Sequence, residues 1–121
     1  MTNIQLNLVV IRSADLDRSA QFYKLLDLDL IKHHHGSGPE HYTCELGKVV
    51  LEIYPRQADT DSTNSVRIGF QVLSVNAVVD ELMKQGVKII SPPKDSSWGR
   101  RAVVVDPDGH RVELTEQMQE N

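Results

Sequence analysis

A chain of 121 residues with a net charge of -4 has room for one hydrophobic core and no basic surface with which to hold a polyanion. Its lysines and arginines are dispersed, which excludes nucleic acid and an anionic membrane as implied partners, and no apolar run reaches the length of a membrane span. A single cysteine, Cys44, cannot close an internal disulfide, and the opening MTNIQLNLVVIRSAD lacks the basic start and cleavage site of a signal peptide, so the expected compartment is the cytoplasm.

In chain order, residues 4–11 are β-branched and apolar almost throughout, the pattern of a strand covered on both faces. Ser13 or Asp15 can cap a helix over residues 16–26, in which Leu16, Ala20, Tyr23 and Leu26 form one stripe. Residues 28–34 read as a strand broken by Gly36-Ser37-Gly38-Pro39. Residues 41–46 and 49–54 read as two further strands joined across Gly47-Lys48. The polar, turn-rich stretch 55–64 reads as a connector. The order then restarts with a strand over 66–73, a helix over 75–85 capped by Ser74 and stopped at Gly86, and a strand over 87–91. A hairpin closes the chain: residues 101–105 run into Asp106-Pro107-Asp108-Gly109 and return as 110–115. In that turn Asp bonds its own backbone, Pro presets φ and Gly takes the left-handed position.

The order is therefore βαβββ twice, and Leu51-Glu52-Ile53 falls on Val112-Glu113-Leu114 when the halves are superposed. The predicted fold class is α+β: two tandem βαβββ modules, residues 4–54 and 65–116, in a single domain whose curved mixed sheet encloses a cleft. On the return strand His110, Val112 and Leu114 share one side while Arg111, Glu113 and Thr115 share the other. Glu113, and by the repeat Glu52, are then expected to look into the cleft, where a lone carboxylate needs a counter-charge.

The segments VIRSADLDRSAQFYKLLDL, LEIYP and WGRRAVVVDPDGHRVEL resemble the vicinal oxygen chelate superfamily, which includes glyoxalase I, extradiol dioxygenases and bleomycin-binding proteins. The resemblance implies paired βαβββ modules, usually in homodimers, and a divalent metal inside the cleft. Of its four metal positions, the two on the closing strands are Glu52 and Glu113, but the two where the family carries histidine are Leu8 and Arg67. Iron, zinc and nickel draw much of their affinity from imidazole, and a guanidinium repels a dication. The expected reading is that no metal occupies those positions and that Arg67 supplies the positive charge instead, pairing with Glu113, Glu52 or both. The alternative is a rearranged site of His41, Glu52 and Glu113 holding zinc, nickel, manganese or iron. His33-His34-His35 is expected to be a solvated edge in which at most His33 and His35 converge.

Arg12, Tyr42, Tyr54, Trp98 and Arg101 complete the candidate ligand-binding set with Arg67, and Gln71 lies near them in the same pattern. Trp98 sits in SPPKDSSWGR, which reads as a lip over the cleft, with a place at the edge of the core as its competing role. Three functions follow. The first is a small-molecule-binding protein without the usual metal. The second is a lyase or isomerase resembling glyoxalase I, in which Glu52 or Glu113 is the catalytic base and His41 or Arg67 makes good the lost Lewis acid. The third is an interaction domain with a filled cleft. Extradiol ring cleavage is excluded by the two missing imidazoles. A homodimer is expected, because a sheet pair of this size leaves strand edges open.

Overall fold

A computed structural model describes residues 3–58 and 60–116. Its elements run β1 (Leu8–Ser13), α1 (Leu16–Lys24), β2 (Ile31–His33), β3 (His41–Leu46), β4 (Val49–Pro55), β5 (Arg67–Val72), α2 (Val75–Lys84), β6 (Ile89–Ser96), β7 (Gly99–Val105) and β8 (Arg111–Glu116). They form two compact units divided between Thr63 and Asn64. Each unit is a four-stranded mixed sheet with one helix, in strand order β1-β4-β3-β2 in the first and β5-β8-β7-β6 in the second. This is the tandem βαβββ architecture expected from the repeat, and no helix among the described residues is long and apolar enough to cross a membrane.

The repeat holds in the parallel pair of each unit. In the first unit β1 lies parallel to β4 with Val10 beside Glu52, and in the second β5 lies parallel to β8 with Gly69 beside Glu113. Both helices start where the sequence places a cap. The Asp15 side chain accepts from Arg18 N and the Ser74 hydroxyl accepts from Ala77 N, so each satisfies a backbone donor that the helix itself leaves free. The α1 helix ends at Lys24, and Asp27 takes the left-handed conformation (φ 66) that turns the chain back toward β2. The expected stop at Gly86 is present at φ 78.

Alternation along the strands decides which side chains build the core. Ile11, Leu51 and Ile53 pack under α1 with Ala20, Phe22 and Tyr23, and Val112, Leu114, Ala102 and Val104 pack under α2 with Val75, Val79 and Leu82; all are buried. The Phe22 and Tyr23 rings meet edge to face at 4.9 Å.

Two expected boundaries move, each for a physical reason. The first strand begins at Leu8, not residue 4, because its parallel partner β4 offers no residue to pair with before Val49. Only one of its faces is covered: Leu8 and Val10 alternate to the open face with Glu52 and Tyr54 and are exposed, where a strand buried on both faces was expected. The stretch read as a ten-residue loop, SPPKDSSWGR, is mostly strand. Here β6 continues through Pro92 and Pro93 with register shifts between Ile89 and Ser91 and between Ser91 and Lys94. An edge strand tolerates prolines, which need donate nothing outward, and the shifts absorb the mismatch.

Candidate functional site

On β4, Leu51 and Ile53 point to α1, so Glu52 and Tyr54 stand on the opposite, open face of the first sheet. The neighbouring strand β3 places Thr43 directly across from Glu52. The Thr43 hydroxyl donates to Glu52 Oε2 at 3.2 Å, and His41 Nε2 lies 3.6 Å from the same oxygen. His41 is 5% exposed, and its ring stacks on Tyr54 with centroids 4.3 Å apart and planes 5° from parallel. The row continues to both sides. Arg12 on β1 holds its guanidinium 5.4 Å from the Tyr54 ring centre, and His33 on β2 stands across from His41 with ring centres 5.9 Å apart. Arg12 is itself tied to the connector: its backbone N–H donates to Thr63 Oγ1, and its Nε lies 3.8 Å from Asp61.

The second unit carries the same device with different chemistry. Val103 stands across from Glu113, as Thr43 does from Glu52, and Arg101 takes the position equivalent to His41. Arg101 Nε donates to Glu113 Oε1 in a close ion pair. Each inward-alternating carboxylate therefore has its partner two residues upstream on the neighbouring antiparallel strand, His41 for Glu52 and Arg101 for Glu113.

Arg67 is not that partner. The parallel register sets it beside Arg111, with Gly69 beside Glu113, and among the described residues it is exposed and forms no ion pair. A like charge directly alongside disfavours the inward pairing that was expected, and Arg101 already holds Glu113. Tyr42 is a second correction. With His41 on the open face, a period of two sends Tyr42 to the helix side, where its hydroxyl donates to Asp17 Oδ1 at 2.6 Å and Lys32 Nζ lies 3.0 Å from the same oxygen. The Tyr42 hydroxyl, then Lys32, hold the Asp17 carboxyl below its usual range; the bond to Asp17 and burial push the Tyr42 phenol up; and Asp17 raises Lys32. Tyr42 is thus a strut between sheet and helix, not part of a ligand surface.

Trp98 occupies the short turn between β6 and β7 and is 82% exposed, which rules out the core-edge role. Cys44 is buried, and burial pushes its thiol up, so it packs as an apolar residue. Of the candidate set, the structure thus brings Arg12, Tyr54, His41 and Glu52 together in one unit and Arg101 and Glu113 together in the other.

One cluster escaped the sequence reading. Ligand atoms of Asp106, Asp108 and His110 lie within 4.8 Å of one another in the closing turn. Asp106 Oδ1 accepts from the backbone N–H groups of Asp108 and His110, and its Oδ2 lies 2.8 Å from His110 Nδ1, all with His110 and Asp106 buried. The alternating spacing of the three residues in DPDGH was the available signal; reading His110 as the first residue of a strand hid it.

The profile of the Glyoxalase/Bleomycin resistance protein/Dioxygenase superfamily matches residues 5–114. The chain belongs to that family. Within the glyoxalase/bleomycin resistance/dioxygenase family it is 30% identical over 110 residues to an uncharacterized protein of Mycolicibacterium smegmatis, covering 91% of each chain. The crystal structure of TnmS3, an antibiotic binding protein from Streptomyces sp. CB03234, is similar with a TM-score of 0.80 at 23% identity over 98% of this chain and 99% of that one. A glyoxalase/bleomycin resistance protein from the same Streptomyces is similar with a TM-score of 0.74 at 23% identity, over 92% and 99%. At such identity these likenesses establish the fold. The metal that the family resemblance implies does not fit the residues at its four positions. Leu8 has no lone pair, Arg67 is a cation, Glu113 is taken by Arg101, and only Glu52 has a neighbouring imidazole.

Proposed function

We propose that this glyoxalase-family chain is a small-molecule-binding protein that works without the family's usual metal centre. The observation that carries the reading is that both carboxylates at the family's metal positions already have protein partners: the Thr43 hydroxyl donates to Glu52 with His41 beside it, and Arg101 pairs with Glu113. Around the first pair, Arg12, Tyr54 and His41 form a stacked row with a cation at one end, a surface suited to an unsaturated organic ligand with acceptor or anionic groups. The likeness to an antibiotic binding protein supports the same class.

Ligand-induced change in tyrosine and tryptophan fluorescence tests this with a panel of aromatic antibiotics and the Tyr54→Ala variant. Saturable binding that weakens by about 1 kcal/mol or more on losing the Tyr54 ring supports the reading. Binding to none of the panel, or equal binding by the variant, opposes it. We further infer a homodimer, since β1 is an edge strand and open edges are covered in stable proteins, and a cytoplasmic location, which the buried free cysteine fits. Light scattering that returns the mass of a single chain at micromolar concentration would refute the dimer.

A further inference from the structure

Three imidazoles gather on the open face of the first sheet, none of them at a position where the family resemblance places a metal. His33 and His41 stand directly across the β2–β3 pair, and His35, two residues beyond His33, returns to the same side. The ring centres form a nearly equilateral triangle, at 5.6 Å for His33 and His35, 5.9 Å for His33 and His41, and 5.6 Å for His35 and His41. Imidazoles sharing one tetrahedral ion through bonds of about 2.0–2.1 Å have ring centres roughly 5 Å apart, so the triangle is close to a chelating size.

We propose that His33, His35 and His41, with Glu52 beside them, form a binding site for a divalent transition metal of the zinc and nickel class. Imidazole nitrogen selects these ions over magnesium or calcium. His41 is already prepared as a ligand. Its Nδ1 faces the Pro39 carbonyl oxygen at 3.3 Å, and because a carbonyl only accepts, that contact puts the proton on Nδ1 and leaves a lone pair on Nε2. That lone pair lies 3.6 Å from Glu52 Oε2, so an ion seated on the imidazoles would have a carboxylate within reach.

The His33 ring lies stacked against both His35 and His41, which are tilted by 40° to each other, and seating an ion requires the His33 and His35 rings to turn their nitrogens toward His41. Both are less buried than His41, so the rotation meets little packing. Nearby cations do not oppose the ion. Lys32 lies on the helix side and is neutralised by Asp17 and Glu40, and Arg12 stands beyond Tyr54 near Asp61. The Asp106–Asp108–His110 cluster competes poorly, because Asp106 and His110 already bond each other and the turn's own backbone.

Calorimetric titration of the intact chain, prepared without an affinity tag, with zinc chloride and separately with nickel chloride tests the site, and cobalt(II) absorbance reports its nitrogen ligation. One equivalent should bind near neutral pH. His33→Ala and His35→Ala should each weaken binding about tenfold or more, whereas His34→Ala should leave it unchanged, because His34 alternates to the other face. The two informative variants alter partly or fully exposed side chains, and circular dichroism checks their fold. No saturable binding, binding that survives the His33→Ala/His35→Ala double change, or a His34→Ala loss equal to the others would overturn the proposal. The probes are metals alone, so failure here leaves the small-molecule reading standing, and failure of that reading leaves this site standing.

Discussion

Replacing Arg101 by alanine separates two accounts of how Glu113 is held. In the structure Arg101 is its ion partner, with the two side chains 33% and 26% exposed, while Arg67 lies in solvent beside Arg111. A fully exposed pair contributes about 0.2–1 kcal/mol, and removing one member of a fully buried pair costs about 3–5 kcal/mol. At this partial burial, screening by solvent brings the expected loss for Arg101→Ala to roughly 1–2 kcal/mol, read as a lower urea midpoint at unchanged slope. Arg67→Ala should cost less than about 0.5 kcal/mol, or stabilise slightly by relieving its repulsion with Arg111. The double change Arg101→Ala with Glu113→Gln should recover part of the loss, since no carboxylate is then left without its partner. If Arg67→Ala is the costly variant and Arg101→Ala is silent, the pairing described for the second unit is wrong.

Asp106→Ala should be among the most damaging single changes. It strips the acceptor from two backbone N–H groups and from the buried His110 ring at once, and at about 1–3 kcal/mol per group left unsatisfied the loss should be roughly 3–5 kcal/mol by urea titration, with Asp106→Asn losing less because Oδ1 is kept. The Asp17–Tyr42 bond predicts a pH dependence at both ends. Asp17 is held below 3.8, so its contribution is present above that pH and is lost as pH falls through the lower native value; Tyr42 is held above 10.0, so its contribution is present below that pH and is lost as pH rises through the higher one. Thermal scans of Tyr42→Phe against the parent across pH should show the difference narrowing at both extremes, and a constant difference would refute the linkage. Trp98→Ala should change stability by no more than about 0.5 kcal/mol, because the ring touches little, and a melting temperature several degrees lower would show that it packs.

Much of the fold was legible in the sequence because local signals agreed with one another. The Asp15 and Ser74 caps, the left-handed Gly86 and the DPDG turn each fix a chain direction through backbone chemistry that needs no distant partner. The repeat then put Glu52 and Glu113 at equivalent places on the last strand of each module. What failed depended on tertiary register. Whether Arg67 or Arg101 reaches Glu113 is decided by which strand lies antiparallel to β8 and at what offset, and a sequence pattern does not carry that offset. Tyr42 was misplaced although the signal was present: with His41 assigned to the open face, alternation alone sends Tyr42 to the helix. The strand through Pro92 and Pro93 was hidden because proline argues against a strand unless the strand is known to be an edge.

The most direct test of the central claim is ligand binding measured in the presence of excess chelator. The intact, tag-free chain is titrated with the tightest ligand from the antibiotic panel, once with ethylenediaminetetraacetate and once with added zinc, following fluorescence. A binding protein whose carboxylates already have protein partners in Thr43 and Arg101 should bind with the same dissociation constant, within about threefold, when all divalent metal is sequestered, and should return the ligand chemically unchanged. Binding abolished by the chelator and restored by zinc, or conversion of the ligand only when metal is present, would contradict the account and return the chain to the metal-dependent lyases and isomerases of its family.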